Sequence, residues 1–181
     1  NKPALEAYAA EIGFTYDEIG MTLRGLRGWM RPDAVATPLL NQPGSGCVYK
    51  QPKGVSLIIA PWNYPFQLVI SPLVGAIAAG NTAVLKTSEL AHTFDPNYVT
   101  LVPGAVPETT ALLKQRFDHI FFTGSIPVGK IVMKAAAEHL TPVTLELGGK
   151  SPCFIDEDTN IEVTAKRLVW GKFFNAGQTC I

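Results

Sequence analysis

From Gly54 onward, short and nearly unbroken apolar runs recur along the chain, and they restrict its fold more than any other feature. "VSLIIAP" (55–61), "TAVLK" (82–86), "YVTLV" (98–102), "HIFFTG" (119–124) and "PVTLEL" (142–147) do not alternate apolar with polar positions, as half-exposed strands do. They read as strands covered on both faces, the pattern of a parallel sheet. Helical stretches fall between them at 66–80, 107–117 and 128–140, the second with Pro107 near its start. "PCFID" (152–156) is a sixth strand candidate, and a helix from about 158 to 174 follows, with Asp158 or Thr159 as its cap. The fold class is therefore α/β: a doubly wound parallel sheet, for which a nucleotide is the default ligand. One link breaks the rhythm. The eleven residues between Lys86 and Tyr98 hold an internal proline and are too few for a crossover helix. Either those two strands are not parallel neighbours, or residues are missing there.

Ahead of this repeat, residues 1–30 place Leu5, Tyr8, Ala9 and Ile12, then Ile19, Leu23, Leu26 and Met30, at helical spacing. Residues 31–54 are rich in proline and glycine, with turn chemistry at "NQPGSG" and a short strand candidate at "CVYKQP". The expected organisation is a helical segment and arm (1–53), a dinucleotide-binding domain (54–175) and the start of a further domain (176–181). The apolar stretch 66–80 is too short to span a membrane comfortably and is interrupted by Pro72, so it reads as a buried helix. The N-terminus lacks the basic start and apolar core of a signal peptide. With 15 basic and 15 acidic residues the chain has no excess charge for nucleic acid or an anionic membrane. Three cysteines without close pairing argue for a reducing compartment, and a cytoplasmic location is expected. Cys47 and Cys153 fall in apolar strand settings and read as packing residues. The three histidines show no metal-ligand spacing, so no metal is expected.

Several short stretches carry chemistry. In "FFTGSIPVGK" (121–130) a strand runs into Gly124-Ser125 and a helix opens before Gly129, which suits a phosphate at a helix N-terminus. The spacing is not the usual G-x-G-x-x-G, and a plain strand-to-helix turn explains it about as well. Lys86 and Glu89 in "VLKTSE" stand at a strand's carboxyl end, where open α/β sheets bind ligands, and suit ribose hydroxyls; taken alone, they read more simply as a surface charge pair. Asn63 in "APWNYPF" offers an amide donor to an oxyanion, and Trp62 a flat surface for a ring, or both belong to a structural turn. Glu146 in "TLELGGK" is either a buried general base or a carboxylate facing water on an edge strand. Gly148 and Gly149 allow backbone to approach a ligand closely. Cys180, after "FFNAGQT", is a nucleophile candidate that needs activation to its thiolate.

In series, "PWNYP", "KTSE", "FTGSIPVG", "LELGGKSP" and "FNAGQTC" resemble the aldehyde dehydrogenase superfamily, in that family's order, across essentially the whole chain. The N-terminal third is most similar to the class 3 branch, which accepts medium-chain and aromatic aldehydes. The resemblance implies NAD or NADP as cofactor, Cys180 as nucleophile, Asn63 with the Cys180 backbone N–H as oxyanion donors, and Glu146 as the base that activates water. It also implies that Lys86 and Glu89 bind the adenosine ribose and that Gly124, Ser125 and Gly129 line the pyrophosphate. Trp62, Leu147 and Gly148 would border the nicotinamide. Thr87 stands where the family usually has proline. Family members are more than twice this length, carry a helix across the 87–97 link and form homo-oligomers, here expected to be dimers. The sequence is thus expected to be a truncated form, inactive by itself, of an enzyme that takes an aldehyde substrate. A coenzyme A-acylating dehydrogenase and a non-catalytic dinucleotide-binding remnant are the alternatives.

Overall fold

The computed structural model of the chain describes residues 2–87, 97 and 99–181. Its elements in order are helix α1 (Ala4–Ala7), a π turn (Tyr8–Ile12), α2 (Gly13–Trp29), strands β1 (Asp33–Val35), β2 (Gly46–Val48) and β3 (Val55–Ile59), α3 (Gln67–Ala78), β4 (Thr82–Thr87) and β5 (Val99–Pro103). There follow α4 (Val106–Leu113), β6 (His119–Thr123), α5 (Ile126–Ala137), β7 (Val143–Glu146) and α6 (Ile161–Phe173). β1 and β2 form a separate antiparallel ribbon. The other five strands make an all-parallel sheet in the order β5-β4-β3-β6-β7. The chain runs outward from β3 through β4 to β5, then crosses back to place β6 on the other side of β3. The sheet's switch point therefore lies between the carboxyl ends of β3 and β6, where open α/β sheets form a crevice.

The unbroken apolar runs bury side chains on both faces. Leu57, Ile59, Ile120 and Phe122 join Leu113 beside α4, and Val132 and Ala136 of α5. On the opposite face, Ile58, Ala60, Ala83 and Leu85 meet Val69, Leu73 and Ala76 of α3. The α3 helix is stopped by Gly80 at φ +81°. There Gly80 N–H donates to Ile77 and Asn81 N–H to Ala76, both at 2.9 Å, a Schellman closure that returns the chain to β4. Leu57 is fully buried in the central strand. Leu57→Ala is expected to cost about 2–5 kcal/mol, read as a lower denaturant midpoint.

Several expectations need correction, and one open alternative is decided. β4 and β5 are parallel neighbours, with Ala83 opposite Val99 and Thr87 opposite Pro103, which excludes the first of the two readings of the short link. The link between them, 88–96 and 98, lies outside the described residues, and Glu89 with it. Residues 152–156 form no strand, and the edge of β7 away from β6 has no paired strand among the described residues. Cys47 and Cys153 are exposed rather than packed. The cap of α6 is Asn160, whose side-chain oxygen accepts Val163 N–H at 3.1 Å, instead of Asp158 or Thr159. The helix at the N-terminus exists, but its apolar stripe is not what it buries. Leu5 is 80% exposed, while Glu11 and Thr15 are 4% and 2% exposed. Polar anchoring, described next, decides which face packs inward.

Candidate active site

The described motif residues from Trp62 to Gly149 collect at the carboxyl edge of the sheet because each ends or follows a parallel strand, whereas Cys180 arrives there behind α6. Ala60, just past β3, donates its N–H to Lys86 O on β4 at 3.2 Å, and Gly124, just past β6, donates to Glu146 O on β7 at 3.0 Å. The turns holding Trp62 and Asn63 and holding Gly124 and Ser125 thus flank the switch point. Lys86 is buried and Trp62 is exposed. Gly129 sits in the first turns of α5, where an added Cβ would stand 3.0 Å from Leu147 Cδ2, so the helix packs closely on the strand. Ser125 is the N-cap of that helix and makes no side-chain cap bond, so the first N–H groups of α5 lack that partner.

The same edge fits a polar cofactor. Among the described residues, the hydroxyls of Thr87 and Thr123 are buried with no hydrogen-bond partner, and both end strands at the carboxyl edge. Leaving such a group unsatisfied costs about 1–3 kcal/mol. Gly124, Ser125 and Gly129 could hold phosphate against α5. Lys86 stands at the end of β4 beside Thr87. No group of metal-ligating side chains occurs among the described residues.

A cavity of about 630 Å³ runs along the α3 face of β6 and β7, and Thr123, Glu146, Leu147 and Cys180 line one end of it. Glu146 is exposed and β7 is an edge strand, so the water-facing geometry holds here. At the far end His119 Nε2 lies 3.0 Å from Thr144 Oγ1. Burial first, and then the charge of Lys53, holds the His119 imidazole below its ordinary pKa. Gly149 meets the Cys180 loop directly: a Cβ there would fall 2.7 Å from Cys180 O. A Cβ on Gly148 meets nothing within 4 Å. Close approach in the Gly148-Gly149 pair is therefore to backbone beside the thiol.

Cys180 is reached through a left-handed run, Asn175 (φ 54°), Ala176 (φ 55°) and Gly177 (φ 75°). This run presses the Cys180 loop against the Asn63 turn. Asn63 Nδ2 donates to Gln178 O at 2.9 Å, and Tyr64 and Thr179 hydroxyls lie 3.0 Å apart. Asn175 Nδ2 donates to Asn63 O at 2.8 Å and to Gln178 O at 3.1 Å, and its backbone N–H donates to Glu6. The Glu11 carboxylate accepts Phe66 N–H at 2.8 Å and Gln67 N–H at 3.3 Å, supplying the N-terminal cap that α3 otherwise lacks. Its other oxygen pairs with Lys2 at 2.5 Å, and Lys2 also donates to Asn63 O at 3.2 Å. Sequence reasoning missed Glu6, Glu11, Asn175 and Gln178. The "NAG" step before "QTC" was the one local signal, since asparagine and glycine tolerate left-handed backbone.

The parallel sheet, its crevice at the strands' carboxyl ends and the cysteine beside it define a doubly wound α/β protein with its candidate site at the switch point. The chain belongs to the Aldehyde dehydrogenase family, which matches residues 2–181. It is 51% identical to the dimeric NADP-preferring aldehyde dehydrogenase of Mus musculus, over 97% of this chain and 41% of that protein. It is 50% identical to the 4,4'-diaponeurosporen-aldehyde dehydrogenase of Staphylococcus aureus, over 99% of this chain and 42% of that protein. The substrate-bound structure of Staphylococcus aureus AldH superimposes with a TM-score of 0.92 at 50% identity, over 97% of this chain and 41% of that one. The chain thus spans about two fifths of the length of these relatives.

Proposed function

We propose that the protein carrying this chain oxidises aldehydes to carboxylic acids with NAD or NADP, through a covalent intermediate on Cys180. The observation that carries this is the convergence of Cys180 and Glu146 on one cavity, beside an Asn63 amide bonded to the backbone two residues before the thiol. The Cys180 thiolate attacks the aldehyde carbon and forms a thiohemiacetal. Asn63 has two amide hydrogens. One is held by Gln178 O, which leaves the other, with Cys180 N–H, for the oxygen that gains charge. A bound nicotinamide cofactor supplies the hydride acceptor that leaves a thioester on Cys180. Glu146 then takes a proton from water as the water oxygen attacks the thioester carbon, and the carboxylic acid departs as the Cys180–carbon bond breaks.

Lys86, with Glu89 of the undescribed link, would hold the adenosine ribose, and Gly124, Ser125 and Gly129 the pyrophosphate. Trp62, Leu147 and Gly148 would border the nicotinamide. The mouse relative is named dimeric and NADP-preferring, which supports NADP as one cofactor and a dimer as the assembly. The three cysteines are free, in keeping with a cytoplasmic protein. Glu146 at the cavity favours water over coenzyme A as the acyl acceptor, because a carboxylate base serves hydrolysis.

The complete protein given benzaldehyde with NAD+ or NADP+ is expected to release benzoate and reduced cofactor in equal amounts. Product formed only when coenzyme A is added, as the acyl thioester, would instead support the acylating reading. No reduced cofactor under either condition would overturn both.

A further inference from the structure

We infer that Asn175 is a positioning residue that locks the Asn63 turn and the Cys180 loop into one rigid unit, an inference that rests on the proposed roles of Asn63 and Cys180. Its side chain is buried, with the residue 5% exposed. Both hydrogens of its amide are committed, one to Asn63 O and one to Gln178 O. Both neighbours are carbonyl oxygens, so the amide nitrogen, not its oxygen, must face them. The two loops it joins lie 112 and 3 residues away in sequence, so the contact ties a distant turn to a local one. Gln178 O receives Asn63 Nδ2 as well, which means the acceptor that aims the Asn63 amide is itself fixed by Asn175.

The device is anchored from outside. The backbone N–H of Asn175 is held by the Glu6 carboxylate on α1, and Asn63 O takes a second donor from Lys2. Glu11 holds the start of α3 just beyond the Asn63 turn. The helix at the N-terminus therefore braces the site through carboxylates, without lining the cavity end near Cys180. Asparagine suits the position twice, because it supplies two donors and tolerates φ 54°. Aspartate has the same shape and similar tolerance, but no amide donors.

The test is Asn175→Asp in the complete protein, beside Asn63→Ala and the double variant. Expected for Asn63→Ala is a fall in kcat of about 10²–10³-fold, the effect of losing an oxyanion donor. Expected for Asn175→Asp is a fall in kcat of about 10²-fold from misplacement, with KM for the cofactor little changed. The double variant is expected to lose less than the product of the two single losses, since part of the Asn175 effect passes through the Asn63 amide and part through the Cys180 loop. Amide hydrogen exchange is expected to quicken in both 61–66 and 174–180 of Asn175→Asp. Wild-type kcat in Asn175→Asp, additive losses in the double variant, or unchanged exchange at 61–66 would each overturn the inference. Wild-type kcat in Asn63→Ala would instead remove the oxyanion reading beneath it.

Discussion

Cys180→Ala is expected to abolish aldehyde oxidation in the complete protein, lowering turnover by at least about 10⁴-fold, while cofactor binding persists. The separation is structural. The groups suited to the cofactor stand on β4, β6 and α5, and their positions are fixed by sheet pairing and the Gly124–Glu146 backbone bond. Cys180 sits on a loop held from the other side by Asn63, Asn175 and Gly149 contacts. Removing its sulfur leaves that frame intact. Fluorescence titration with reduced cofactor and a coupled assay for reduction check the two halves independently. Normal turnover in this variant would remove the nucleophile assignment.

Glu146→Gln is expected to uncouple the two halves of the reaction. The first half needs only the thiol, the oxyanion donors and the hydride acceptor. The second needs a base at the thioester, worth roughly 10²–10⁴-fold for general base catalysis. A rapid burst of about one reduced cofactor per site should therefore survive, followed by steady turnover slower by that factor, with acylated Cys180 accumulating by intact mass. Equal loss of burst and steady rate would place Glu146 in the first step instead. Glutamine keeps the shape and the backbone bond from Gly124 to residue 146, so the change tests the carboxylate alone.

Much of the sheet was legible because burial on both faces leaves a direct trace in composition. Five apolar runs became five parallel strands, and the motifs at the carboxyl ends of β3, β4, β6 and β7 reached the crevice simply by following their strands. The pairing of β4 with β5 was left open, because a parallel pair needs a crossover and the link between these two strands is shorter than a crossover helix requires. The failed strand at 152–156 shows that β propensity is context-dependent: an apolar run beside the free edge of β7 still does not pair with it. The N-terminal helix misled most. Periodicity ranks side chains by hydrophobicity, whereas this helix is oriented by Glu11, which caps α3 through Phe66 and Gln67, 55 and 56 residues away. Such a partner leaves no periodic trace. Asn175 escaped notice for the same reason, since its partners Asn63 and Glu6 come from far upstream.

That remoteness sets an order of events during synthesis. Glu6 and Asn175 are 169 positions apart, and β3 cannot gain its neighbour β6 until residues near 119–123 have emerged. The β3–β4 pair has a much shorter loop to close, so it has the earlier opportunity to form. The helix holding Glu6 emerges well before Asn175, so its carboxylate must wait through those 169 positions before it finds that amide. Until then the helix depends on the cap that Glu11 gives α3.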